Sequence, residues 1–308
     1  MFPSWLSPIS LYGDFLHHRL SAVDLSPQTL DIDDQTTMHF WGPSPSPSPS
    51  PSPPPKPSLV LIHGFGPHGV WQWLPQILFF AAHYRVYVPS LLFFGGSTTK
   101  SPDRSPVFQA KCVSALLEKL GVREFSVVGT GYGGFVAYEV GRMWGDGRVQ
   151  KVVIASCAVN MKRKDEEELV KRAKVEKIED LVLPVTAGKL RRLLSFSTFR
   201  RLPYLPDFVF NHLLQKLYVE NREEKLKLLE GLSHGRDDTV DKSPLQQEVL
   251  ILWGEHDQIF LLEKALELKE LLGKKVRLEV IRSASHLPQL EHGTRFNNIV
   301  NHFLHCSE

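Results

Sequence analysis

The chain is poor in the features that would settle its class at once. It has only three cysteines, Cys112, Cys157 and Cys306, and no pair of them shows metal-binding or redox spacing. That excludes a disulfide scaffold and fits a reducing compartment, so a cytoplasmic location is expected. Charge of one sign is also lacking. The formal net charge of +2 over 308 residues leaves no basic footprint, and nucleic acid is not an expected partner. No apolar run approaches the length of a membrane-spanning helix. The first twenty residues, MFPSWLSPISLYGDFLHHRL, lack a positive start and are interrupted by Pro3, Pro8 and Asp14, which argues against a secretory leader. Trp5, Ile9, Tyr12, Leu16 and Leu20 share one helical face. They predict a helix packed on the domain or over a pocket mouth, with peripheral membrane contact as the alternative.

The most telling absence is a single side chain. Residues 125–135 read FSVVGTGYGGF, an apolar strand running into a glycine-rich turn and then a helix. That is the layout of a serine hydrolase's nucleophile elbow, G-x-S-x-G. Here the five positions are Gly129-Thr130-Gly131-Tyr132-Gly133, and Gly131 stands where the serine would be. Thr130 is no substitute, because successive side chains around a turn point in different directions.

The other parts of such a machine are present in the expected chain order. The apolar strand 249–253 is followed by Gly254-Glu255-His256-Asp257, which makes Asp257 the candidate acid. Val276, Leu278 and Val280 alternate with charged residues and lead to Ser283-Ala284-Ser285-His286, with His286 the candidate base. Upstream, the strand 59–62 ends in His63-Gly64-Phe65-Gly66. The backbone N–H groups of Phe65 and Tyr132 are the candidate oxyanion donors.

The stretches LVLIHGFG, VVGTGYGGFVAYE, LILWGEHDQIF and SASHLPQLE resemble the α/β-hydrolase superfamily, and within it monoacylglycerol-lipase-like and C–C-bond-hydrolase-like members, including a plant group. The resemblance implies an α/β fold: a mostly parallel sheet with helices on both faces and an inserted helical lid. It also implies a carboxylic-ester (lipase or esterase type) hydrolase of small apolar substrates, with Asp257 and His286 as acid and base and Phe65 and Tyr132 as oxyanion donors. No cofactor and no metal is implied. Members usually carry Asp where this chain has Ser90, in a structural loop.

The strand–helix alternation of the first half independently predicts a parallel sheet covered on both faces. Two strands joined by Asp33-Asp34-Gln35 are expected within 29–41, and a helix opening at Ser105-Pro106 and closing at Gly121. A Ser-Pro repeat spans 43–57 and predicts a solvated extended loop. From Met161 no strand pattern appears, and helices are expected over 164–177, 187–196, 206–218 and 223–232. The expected division is an N-terminal helical segment (1–28), a core (29–160 and 242–308) and a lid (161–241), with a last helix over 289–303, in a monomer.

Three functions are compatible with a missing nucleophile. His286 with Asp257 can deprotonate a water in the vacated space, giving weak hydrolysis without a covalent intermediate. The chain can instead be a non-catalytic binder of an apolar small molecule. Remotely, the glycines now also read G-x-G-x-x-G, a dinucleotide fingerprint, although the next strand ends Ala155-Ser156-Cys157 without the acid such a site needs.

Overall fold

The computed structural model describes residues 8–45, 56–67, 69–200, 205–233 and 242–306. The chain opens with helix α1 (Pro8–Ser21) and an antiparallel pair, β1 (Leu25–Asp31) and β2 (Thr36–Pro43). Both strands run further than the sequence pattern predicts. Seven register pairs, from Leu25 opposite Pro43 to Asp31 opposite Thr37, extend them beyond the apolar positions. Most of the Ser-Pro repeat lies outside the described residues.

The core then alternates strand and helix through β3 (Ser58–Ile62), α2 (Gly69–Phe80), β4 (Arg85–Pro89), the short β5 (Thr98–Thr99) and α3 (Pro106–Lys119). It continues through β6 (Phe125–Thr130), α4 (Tyr132–Trp144) and β7 (Val149–Ala155). Among the described residues five helices follow: α5 (Arg163–Ala173), α6 (Ile178–Val182), α7 (Ala187–Ser197), α8 (Asp207–Leu217) and α9 (Arg222–Ser233). The sheet resumes with β8 (Glu248–Gly254), α10 (Leu262–Leu272) and β9 (Val276–Ile281), and α11 (Pro288–Glu291) and α12 (Gly293–His305) close the chain. Strand order is β1-β2-β4-β3-β6-β7-β8-β9, antiparallel through β2–β4 and parallel from β4 onward. This is the α/β-hydrolase fold expected from the sequence.

Two apolar layers hold the sheet. Trp253, Val127, Ile154 and Val136 pack on one face, and Trp73, Leu61, Leu252 and Phe296 on the other. Central strands bury both faces, which is why β3, β6 and β8 read as continuous apolar runs rather than alternating ones. Helix α3 starts as its sequence dictates: Ser105 Oγ accepts the Phe108 N–H at 3.1 Å, and Pro106 fills the first turn. Leu16 and Leu20 anchor α1 in the second layer, so the helix packs on the domain. The buried thiols Cys112 and Cys157 are free, and burial pushes Cys112 up to about 12.

The five-helix insertion between β7 and β8 has its own small cores. Ala187, Leu190, Phe210, Leu214, Leu217 and Tyr218 form one, and Leu169, Ala173 and Leu181 form another against Ile259 of the loop after β8. The charged helix stops at Ala173, earlier than its composition suggests, because Lys174 turns left-handed with φ 50°. The short α6 is unforeseen. The expected last helix is broken at His292, which adopts φ −134°. Glu291, just before the break, is engaged elsewhere.

Candidate active site

The elbow is built by glycines that let backbones meet. A side chain at Gly129 would collide with the Gly133 carbonyl, and one at Gly133 with the Ile62 and His63 carbonyls. Gly134 is pressed against Cys157 in the same way. These contacts explain the glycine run by packing of α4 against β3 and β7, with no need of a phosphate ligand. Gly131 differs. It sits at the sharp turn with φ 51° and ψ −121°, yet a Cβ placed there meets nothing closer than 3.4 Å. That nearest atom is His286 Nε2.

The loops after β8 and β9 bring the two titratable residues together. Asp257 Oδ2 accepts from His286 Nδ1 at 3.0 Å, and the Asp257 side chain is fully buried. Oδ1 accepts the N–H groups of Ile259 and Phe260 at 2.8 and 2.9 Å, which fixes the carboxylate. With Nδ1–H donating to Asp257, Nε2 is the ring nitrogen that faces Gly131. Phe260 flanks the imidazole edge-on at 5.6 Å.

The upstream loop also approaches Gly131, whose Cβ position is 3.8 Å from Gly64 Cα. Gln72 on α2 brackets it: Oε1 accepts the Gly64 N–H at 3.0 Å, while Nε2 donates to the Gly64 carbonyl at 3.1 Å and to that of Pro67. Among the described residues no acceptor is found for the Phe65 N–H. The Tyr132 N–H opens α4, where a helix leaves its donors without intrahelical partners. The two rings meet edge-to-face at 5.2 Å.

His63 has a structural task. Its Nδ1 donates to the Gly64 carbonyl at 2.8 Å and its Nε2 accepts the Leu91 N–H at 3.0 Å, all fully buried. Accepting from a backbone donor requires the neutral ring. His63→Leu should therefore cost about 1–3 kcal/mol, the penalty of a buried N–H left unpaired. Denaturant unfolding of the variant measures it. Ser90 likewise finds partners without a carboxylate. Its Oγ meets His39 Nδ1 at 3.2 Å, and its carbonyl accepts from Ser97 Oγ at 2.8 Å. The 90–97 loop is thus tied to β2.

A cavity of about 280 Å³ opens over Gly131 and His286. Its walls are mostly apolar and come from both the core and the insertion, with Trp71, Phe135, Leu193, Leu194, Leu232 and Phe260 prominent. Of the apolar residues the sequence nominates in the insertion, Leu193 and Leu194 line it. Phe210 and Leu214 instead build the insertion's own core, and Phe199 and Phe208 are exposed. The exposed run at 162–164 lies off the cavity.

Several supports are invisible in the local pattern. Glu291 stitches the His286 loop to the insertion: its carboxylate accepts from the Ser285 N–H at 2.7 Å and from the Phe199 N–H at 2.7 Å. Ser285 Oγ adds a bond to the Phe196 carbonyl at 3.0 Å. Lys225, 2% exposed, places its ammonium over the Phe94 ring at 4.7 Å, and Phe94 abuts both His63 and Phe65. Burial lowers the Lys225 pKa.

A mostly parallel sheet carrying a buried acid after one strand and a histidine after the next, with the acid behind the histidine and the histidine facing a glycine-framed strand-to-helix turn, is the framework of a hydrolase. The chain belongs to the alpha/beta hydrolase family, whose model matches residues 59–299. It is 24% identical over 277 residues to 2-hydroxymuconate semialdehyde hydrolase of Pseudomonas sp. (strain CF600), covering 80% of this chain and 86% of the relative. It is 23% identical over 281 residues to epoxide hydrolase 4 of Homo sapiens, covering 80% of this chain and 72% of that protein. Among solved structures, a bacterial membrane phospholipase A superposes with a TM-score of 0.76 at 20% identity, over 98% of this chain and 92% of the other. For this chain, no helix among the described residues is long and apolar enough to cross a membrane.

Proposed function

We propose that this protein hydrolyses small apolar carboxylic esters slowly, through a water seated over Gly131 in place of a serine hydroxyl. The observation that carries this reading is the open Cβ position of Gly131, 3.4 Å from His286 Nε2. The histidine is already oriented by Asp257, so a water in that space is within reach of a base. His286 takes a proton from the water as its oxygen attacks the ester carbonyl carbon. The developing oxyanion lies against the Phe65 and Tyr132 N–H groups at the positive end of α4. On collapse the carbon–oxygen bond to the alcohol breaks, and His286 returns the proton to the leaving oxygen. No covalent acyl intermediate forms.

The rate should be low. Removing the nucleophile of a serine hydrolase costs about 10⁶ in turnover, and donors plus binding retain roughly 10³–10⁴ over water. In this reading the five inserted helices act as a lid whose Leu193 and Leu194 shape the acyl site. His286→Ala should abolish the slow hydrolysis of a short-chain p-nitrophenyl ester. Turnover unchanged in that variant would show that the activity arises elsewhere on the protein.

A further inference from the structure

The space over Gly131 can also take a ligand oxygen, and the insertion supplies a further hydroxyl to the same cavity. Where a serine stands, its oxygen fills this space and leaves room for one carbonyl oxygen beside the oxyanion donors. Glycine leaves room for two oxygens on one carbon. One can lie against the Phe65 and Tyr132 amides, and the other at the vacated position facing His286 Nε2. A carboxyl group has that shape.

Tyr218 adds an independent observation. It caps α8, is 6% exposed and lines the cavity. Its hydroxyl lies 3.4 Å from where a Gly66 Cβ would be, one residue along from Phe65, and no hydrogen bond to it is found among the described residues. A hydroxyl that lines a cavity without a protein partner is free to donate to a ligand acceptor. Burial raises the Tyr218 pKa, which keeps the group a donor.

We propose that the cavity binds apolar carboxylic acids, with the carboxyl group held by the Phe65 and Tyr132 N–H groups, His286 Nε2 and the Tyr218 hydroxyl. The acid enters with its proton, which lies between Nε2 and a ligand oxygen while Asp257 backs the ring. The α4 N-terminus favours the negative end of the ligand. The apolar tail runs between Leu193, Leu194, Leu232 and Phe260. At about 280 Å³ the cavity is near the lower limit of ligand pockets, roughly 300–1,000 Å³, which suits a medium-chain acid. Glu166 also reaches the wall, but it is shared with an outer groove that holds Arg163 and Lys177. This inference rests on the reading of Phe65, Tyr132 and His286 as one site.

The test is calorimetric titration of the full chain with octanoate and with octanamide, which has the same tail and a neutral head. Octanoate should bind at least tenfold more tightly than octanamide. Tyr218→Phe should weaken octanoate by about tenfold, as expected for a hydrogen bond to a charged acceptor, and octanamide by less. Gly131→Ser should weaken octanoate and octanamide alike, because the new hydroxyl takes the place of the second oxygen or of the amide nitrogen. A rise in the melting temperature of the unaltered protein with octanoate gives a readout that needs no variant to fold. Octanamide binding as tightly as octanoate, or no octanoate binding at all, would overturn the inference. Ester hydrolysis that depends on His286 in that case would leave the proposed activity standing. Octanoate binding without any such hydrolysis would retain the carboxyl site and discard the activity.

Discussion

Gly131→Ser is expected to raise esterase turnover on small apolar esters by at least about 10³-fold, given that the nucleophile of such a triad is worth about 10⁶. The geometry asks little else of the substitution. The new Cβ meets no atom closer than 3.4 Å, and its nearest neighbour is the His286 nitrogen that would take the hydroxyl proton. Asp257 already holds that ring at 3.0 Å. The cost falls on the backbone. At φ 51° and ψ −121° a non-glycine residue is strained by roughly 1–3 kcal/mol. Reduced freedom of the unfolded chain returns about 0.4–1 kcal/mol. The variant should therefore be more active and melt a few degrees lower. Turnover of a p-nitrophenyl ester and thermal unfolding measure both sides. A folded variant without a gain would favour a binder whose cavity no longer presents the carbonyl to the elbow.

Gly254→Ala is expected to be strongly damaging to both stability and activity. Gly254 ends β8, and a Cβ there would strike the Ser285 carbonyl directly and lie 2.7 Å from that of Ala284. These are backbone atoms of the loop that carries His286, so no rotamer change relieves the contact. Either β8 and β9 separate, or the loop shifts and His286 leaves Asp257. Stability should fall by about 2–4 kcal/mol, in the range of overpacked buried positions. Activity in a Gly131→Ser background should fall by about 10²-fold, the penalty of ångström-scale misplacement. Urea denaturation and the double variant's turnover report the two effects. A variant as stable as the parent would show that the β8–β9 crossing has slack.

Much of the fold is legible in the sequence, because buried parallel strands and capped helices write their positions locally. The runs at 59–62, 125–128 and 249–253 are strands for that reason, and Ser105-Pro106 announces α3. The elbow, Asp257 and His286 are legible because each follows a strand in a fixed order. Tyr218, Gln72 and Glu291 are not legible. Each earns its place through a partner far along the chain: Tyr218 at Gly66, Gln72 at Gly64 and Pro67, Glu291 at Phe199 and Ser285. The break at His292 is signalled only by the glycine that follows it, Gly293. The aromatic residues of the insertion show the same limit. Helical spacing places Leu193 beside Phe196 and sets Phe208 and Phe210 on opposite faces, but only the packing decides that Leu193 faces the cavity while Phe208 stays in solvent.

The most direct measurement is intact-mass analysis of the unaltered protein and of Gly131→Ser after exposure to a fluorophosphonate. The unaltered chain should remain unmodified, and the variant should gain one adduct that disappears when His286→Ala is added. Labelling of the unaltered chain would reveal an activated hydroxyl elsewhere, and a folded variant that stays unlabelled would show that Asp257 and His286 no longer form a catalytic pair.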